Sequence, residues 1–163
     1  MRQESRIAWL PRKLLGDMRA LAQELSPKET GGVLMGYRSQ GQIVITEVVG
    51  PGPGAEHFPS RFVPDHEWQE TEVARIYKAS GRMHTYLGDW HSHPFGGCRP
   101  SRRDIYTLWK ISREEEARAP WPIMTILSGE EWEADVWLLG TRRIGRWLPI
   151  PSLEVMSVHI HSD

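Results

Sequence analysis

The side chains best able to do chemistry crowd into Asp89-Trp90-His91-Ser92-His93-Pro94-Phe95-Gly96-Gly97-Cys98-Arg99-Pro100-Ser101-Arg102-Arg103-Asp104. Side chains alternate along a strand, so His91 and His93 point to the same side, where two imidazoles can grip one cation. Asp104 follows His93 by eleven residues, beyond a loop containing two glycines and two prolines. Such a loop can fold back and offer a carboxylate from the first turn of the next helix. Two nitrogens and one oxygen suit zinc, and three protein ligands leave a fourth position for water, the mark of a catalytic site. That water needs a carboxylate to take its proton and pass it to a leaving amine. Glu29 is the candidate, standing between the first helix and the glycine-rich apolar strand in Glu29-Thr30-Gly31-Gly32-Val33-Leu34-Met35-Gly36. Glycines there let backbone approach closely. Ser101 can donate to the oxyanion of a tetrahedral intermediate, a contact worth about 3–4 kcal/mol in a transition state.

Each of these residues also has a plainer reading. A lone His-x-His is weak evidence for a metal. Ser101-x-x-Asp104 is the pattern of a helix capping box, which needs no metal, and one Asp104 oxygen cannot serve both tasks. Glu29 taken alone is a solvated acid beside a helix. Cys98 can be a soft ligand, an oxidation sensor or simply a small residue in a turn, and the last is the default. His57, His66 and His84 read as hydrogen-bonded or exposed rather than as ligands. His159 and His161 repeat the two-residue spacing, but no acid or loop supports them. Trp90 faces away from the histidines and reads as packing.

The elements that must position these residues follow from periodicity. Apolar residues at Leu14, Leu15, Met18, Leu21, Ala22 and Leu25 predict an amphipathic helix over 11–25, stopped by Ser26-Pro27. Residues 32–36 and 42–49 predict two strands joined by a Ser39-Gln40-Gly41 turn. Gly50 to Gly54 must be loop, 61–63 a short strand, and Asp65 the N-cap of a helix running to about Ser80. Residues 84–91 read as extended, Ser101 to about Arg118 as a helix, and 121–127 and 132–139 as strands. Residues 145–150 predict a short edge strand. This division gives one domain over 1–151 and a C-terminal tail over 152–163 that has no clear period and is expected to fray. Helices interleaved with strands indicate the α/β (α+β) class.

Composition sets the outer bounds. The 163 residues balance 20 Lys+Arg against 21 Asp+Glu, for a net charge of −1. That excludes the basic excess of a general nucleic-acid binder. A single cysteine excludes an intramolecular disulfide and any multi-cysteine zinc knuckle. No apolar run approaches the ~18 residues of a membrane span. No signal peptide is visible at the N-terminus, so a cytoplasmic location is expected.

Glu29 before a glycine-rich strand, then His91-x-His93, seven residues to Ser101 and two more to Asp104, resembles the JAMM (JAB/MPN+) zinc metallopeptidases. The likeness covers about residues 8–150. It implies that His91, His93 and Asp104 bind one Zn2+ ion with a catalytic water as fourth ligand, that Glu29 is the general acid/base, and that Ser101 supports the transition state. It implies a mixed β-sheet sandwiched by helices, similar to the cytidine deaminase fold. It also implies cleavage after the C-terminus of a ubiquitin-like modifier, either deconjugating it from a target or processing its precursor. The chain lacks the insertions of eukaryotic chain-specific members and is similar to small bacterial members linked to antiviral defence. Implied partners are therefore a ubiquitin-like modifier and its conjugates, with E1/E2-like conjugation enzymes or a cGAS/DncV-like nucleotidyltransferase target. The alternatives are a non-catalytic MPN scaffold and a small-substrate hydrolase of sulfur-carrier–cysteine adducts. A nucleobase deaminase is set aside because no Pro-Cys-x-x-Cys is present.

Overall fold

The computed structural model describes residues 6–146 and 148–162. In chain order the elements are β1 (Ile7–Pro11), α1 (Arg12–Leu25), β2 (Gly31–Ser39), β3 (Gln42–Val49), β4 (Glu56–Phe58), β5 (Arg61–Val63) and α2 (His66–Ala79). There follow β6 (Thr85–His93), α3 (Arg102–Ser112), β7 (Ile123–Ser128), β8 (Glu133–Ile144), β9 (Leu148–Val155) and β10 (Ser157–His161). Eight strands form one mixed sheet in the order β10-β1-β3-β2-β6-β7-β8-β9, and β4-β5 is a separate hairpin. The α+β class is as expected.

The sheet curls. One residue, Met156, links β9 at one edge to β10 at the other, and its N–H donates to Val136 O at 2.8 Å. The inner face of the curl holds the main core: Leu15, Met18 and Ala22 of α1 against Leu34, Ile45, Leu87, Trp90 and Leu127 of the sheet. These are the helix positions that the apolar stripe of the sequence marks as inward. On the outer face α2 packs Ile76 and Val73 against Val33, Met35 and Val49. Alongside it, α3 packs Leu108 against Met124, Ile126 and Leu139. The sheet is thus covered on both faces, and β6 runs between the two outer helices.

Four expectations need correction. The strand β1 precedes the first helix where none was read. The strand β4 pairs with β5 to make a hairpin of what looked like one short strand. The third helix ends at Ser112 rather than near Arg118. Residues 114–118 instead form tight turns, Ala117 N–H to Glu114 O and Arg118 N–H to Glu115 O, both at 3.2 Å. Three successive glutamates at a helix C-terminus would face the negative end of its dipole, and Arg118 has φ +49°. Lastly, residues 152–161 do not fray. Residues 152–155 complete β9, antiparallel to β8, and β10 lies parallel to β1 with Ile7 opposite Ser157.

Candidate metal centre

The site forms at the C-terminal end of β6, where the outer face opens into a cleft between α2 and α3. Strand alternation sends Trp90 into the core, fully buried, while His91 and His93 face the cleft. Their Nε2 atoms converge to 2.7 Å. The loop 94–100 turns the chain back, and α3 begins with Asp104 in its first turn. Asp104 Oδ1 lies 3.5 Å from His91 Nε2, and Oδ2 lies 3.7 Å from His93 Nε2. One donor atom from each of the three residues falls within 4.8 Å of the others.

The capping box is present as well. The Ser101 N–H donates to Asp104 Oδ2 at 2.6 Å, and the Asp104 N–H donates to Ser101 Oγ at 3.2 Å. The apparent conflict is resolved by dividing the carboxylate: Oδ2 caps the helix and Oδ1 turns toward His91. Ser101 Oγ thus accepts in the cap through a lone pair and still carries an O–H that can donate.

The donor chemistry fits a divalent cation. The His93 Nδ1 sits 3.0 Å from Gly97 O. A carbonyl only accepts, so Nδ1 carries the hydrogen and Nε2 is left as the lone-pair donor, the usual support for a ligating imidazole. Burial, helped by the neighbouring His91, lowers the His93 pKa and favours the neutral ring. Burial on its own would raise Asp104, but the His91 ring and the bonds from Ser101 hold it down at about 2. An ionised carboxylate beside a neutral imidazole is the protonation state that metal binding requires.

Glu29 lines the same cleft, half-buried, with its pKa raised chiefly by burial. Two flanking elements fix its peptide. On one side Ser92 binds the next residue: its N–H donates to Thr30 O at 2.8 Å, and its Oγ accepts from the Thr30 N–H at 3.0 Å. On the other, the Glu29 N–H donates to Phe58 O at 2.8 Å. Gly31 is needed here, because a Cβ would stand 2.6 Å from the Phe62 ring and 2.3 Å from Trp90 O.

All five residues singled out in the sequence therefore line one cleft. Cys98 does not join them. Its Sγ is 2.9 Å from Ser128 Oγ, and it lies outside the His91, His93, Asp104 cluster. His159 and His161 lie on edge strand β10 beside the Trp9 ring. Sequence reasoning missed two features, one lining the cleft and one bonded to the Glu29 backbone. Asp89 faces the cleft two residues before His91, accepts from the Tyr86 hydroxyl at 2.9 Å, and is pushed up to about 6 by burial. The parity of β6 was the available signal. His57, read as an incidental histidine, binds the Glu29 carbonyl.

The model of prokaryotic homologs of the JAB domain matches residues 11–142. The chain belongs to this family of JAMM-type peptidases. It is 39% identical over 137 residues to "Probable metalloprotease y4qB" of Sinorhizobium fredii, covering 82% of this chain and 84% of that one. It is also similar to two proteins named CD-NTase/cGAS isopeptidase. The Vibrio cholerae protein is 30% identical over 82 residues, covering 50% of this chain and 52% of its own length. The Escherichia coli protein is 27% identical over 112 residues, covering 68% and 65%. The solution structure of protein DSY2949 from Desulfitobacterium hafniense shares the fold, with a TM-score of 0.68, 21% identity, and coverage of 96% of this chain and 94% of that one.

Proposed function

We propose that this JAB-family chain is a zinc-dependent isopeptidase or peptidase that cleaves after the C-terminus of a ubiquitin-like modifier. The observation that carries the reading is the convergence of His91, His93 and Asp104 donor atoms within 4.8 Å, in the cleft that Glu29 and Ser101 also line. His91 Nε2, His93 Nε2 and Asp104 Oδ1 would hold the ion. A bound zinc supplies Lewis acidity, polarising the scissile carbonyl and making water a usable nucleophile near neutral pH. Glu29 accepts the proton of the attacking water and delivers it to the leaving amine. The Ser101 hydroxyl donates to the developing oxyanion. The cleft between α2 and α3 is where an extended tail would lie, with Phe95 and Gly96 on its wall. The names of the Vibrio cholerae and Escherichia coli relatives, CD-NTase/cGAS isopeptidase, support a link to conjugates of a cGAS-like nucleotidyltransferase; a role in antiviral defence and work in the cytoplasm are part of the same proposal. No helix among the described residues is long and apolar enough to cross a membrane.

The test is cleavage of a modifier–substrate fusion by the wild type and by Glu29→Ala, each with and without a chelator. We expect chelation and Glu29→Ala each to abolish turnover. Equal rates for the two proteins would remove Glu29 from the mechanism, and cleavage insensitive to chelation would remove zinc. Burial raises Glu29, and a base must be ionised to act. In the metal-free protein the Glu29 carboxyl is therefore expected to titrate above the ~4.3 of a free glutamate, which an NMR pH titration would read.

A further inference from the structure

We infer that the β4–β5 hairpin is a positioning device for Glu29 and that His57 is its working contact, a reading that rests on Glu29 being the general base. Glu29 lies in the connection between α1 and β2, outside any regular element. A connecting segment of this kind is mobile unless it is tied, whereas a proton-transfer group must be held within about 0.5 Å of its working position. The hairpin supplies the tie. The Glu29 N–H donates to Phe58 O at 2.8 Å, and the Glu29 carbonyl oxygen lies 2.9 Å from His57 Nδ1. That carbonyl can only accept, so Nδ1 carries the hydrogen. Both backbone groups of one residue are thus bonded to adjacent residues of β4, the N–H through the Phe58 backbone and the carbonyl through the His57 side chain.

Two further contacts stiffen the hairpin where it does this. The His57 ring stacks on Phe62 of β5, with centroids 6.2 Å apart and planes 10° apart. Phe62 in turn fills the space over Gly31 that any larger residue would need. Ser92, between the two histidines of the cluster, holds Thr30 from the opposite side. Glu29 is therefore clamped between the strand that carries the histidines and a hairpin that, among the described residues, has no other strand partner. Without the His57 bond, the β6 side of the clamp remains and the hairpin side loosens. The consequence is a misplaced carboxylate in a site whose cation donors are unaltered.

Three variants separate the bond from the ring. His57→Phe keeps the stack on Phe62 and removes the donor. His57→Ala removes both. His57→Asn places an amide N–H close to where Nδ1 stood. The first readout needs no substrate: amide hydrogen exchange at Glu29 and Thr30 in the metal-free protein, beside global stability from urea melts. In His57→Phe we expect the Glu29 amide to exchange about 10-fold faster, with the melt and the zinc stoichiometry unchanged and with protection restored in His57→Asn. The second uses a Gly-Gly–lysine isopeptide flanked by a fluorophore and a quencher. Here kcat is expected to fall about 10-fold or more in His57→Phe at constant KM, and to recover in His57→Asn. The combination Glu29→Gln/His57→Phe should be no slower than Glu29→Gln alone. Unchanged exchange in His57→Phe, or equal losses in the Phe and Asn variants, would overturn the role of His57 while leaving Glu29 as the base. Wild-type turnover in Glu29→Gln would instead overturn the base itself.

Discussion

Asp104 shows how one side chain can satisfy two readings that look exclusive in the sequence. Its Oδ2 accepts the Ser101 N–H that begins α3, and its Oδ1 faces the His91 ring. The two tasks can be pulled apart by substitution. Asp104→Asn keeps an acceptor for the Ser101 N–H and loses the charge that a cation needs. Asp104→Ala loses both. Zinc affinity measured by calorimetry is expected to fall at least about 10-fold in each variant, as for lost metal-site partners generally. Urea melts of the metal-free proteins should separate them, with the alanine variant weaker by about 1 kcal/mol for the lost cap. Equal zinc affinity in the wild type and Asp104→Asn would show that the carboxylate only caps the helix. At this scale the sequence was informative. The parity of His91 and His93 and the turn-back to Asp104 follow from strand alternation and a glycine- and proline-rich loop. The division of labour between two oxygens does not, because it depends on the rotation of one carboxylate. His57 was illegible for another reason: its partner lies 28 residues away, across a hairpin of which only one strand was foreseen.

Each element reaches the site by burying one face. α3 is short and mostly exposed, and Leu108 is its one fully buried apolar side chain, packed with Met124, Ile126 and Leu139. The sequence marked Ile105, Leu108 and Trp109 as inward, but Ile105 and Trp109 are only partly covered. The helix ends at Ser112, so its contact with the sheet is confined to about three turns. Leu108→Ala should therefore cost about 2–5 kcal/mol, the usual range for removing a buried leucine. Because the same helix carries Asp104, zinc affinity should fall with it even though no donor atom is changed. Urea melts with and without zinc would measure both effects. A variant that lost stability and kept full zinc affinity would mean that the loop 94–100 alone places Asp104. The N-terminal elements were the more legible ones, because the helix over 12–25 and the hairpin of β2 and β3 are local. The Gln40-Gly41 turn joining those strands adopts positive φ at both positions, 49° and 77°, the backbone that a two-residue hairpin requires.

At the scale of the whole molecule, the sheet is held in its curl by the part of the chain that looked least structured. β9 and β10 are consecutive in sequence and lie at opposite edges, so the chain closes the curl in one step through Met156, which is 5% exposed. No local signal reveals this. Ser157 pairs with Ile7, a separation of nearly the whole chain, and a parallel edge strand with two histidines and a half-exposed Ile160 shows no clean alternation. The closure bears on the site only indirectly. Met156 packs within the main core, on the face of the sheet opposite the cleft. Met156→Ala is therefore expected to lower the stability of the metal-free protein by about 2–5 kcal/mol in urea while leaving the zinc stoichiometry of the folded protein at its wild-type value. A frayed tail would behave otherwise, since a substitution in a solvated segment changes stability by no more than about 0.5 kcal/mol. The comparison also separates this device from α3. Leu108→Ala should weaken zinc binding and stability together, whereas Met156→Ala should change stability alone, because only the first sits between the sheet and a helix that carries a donor.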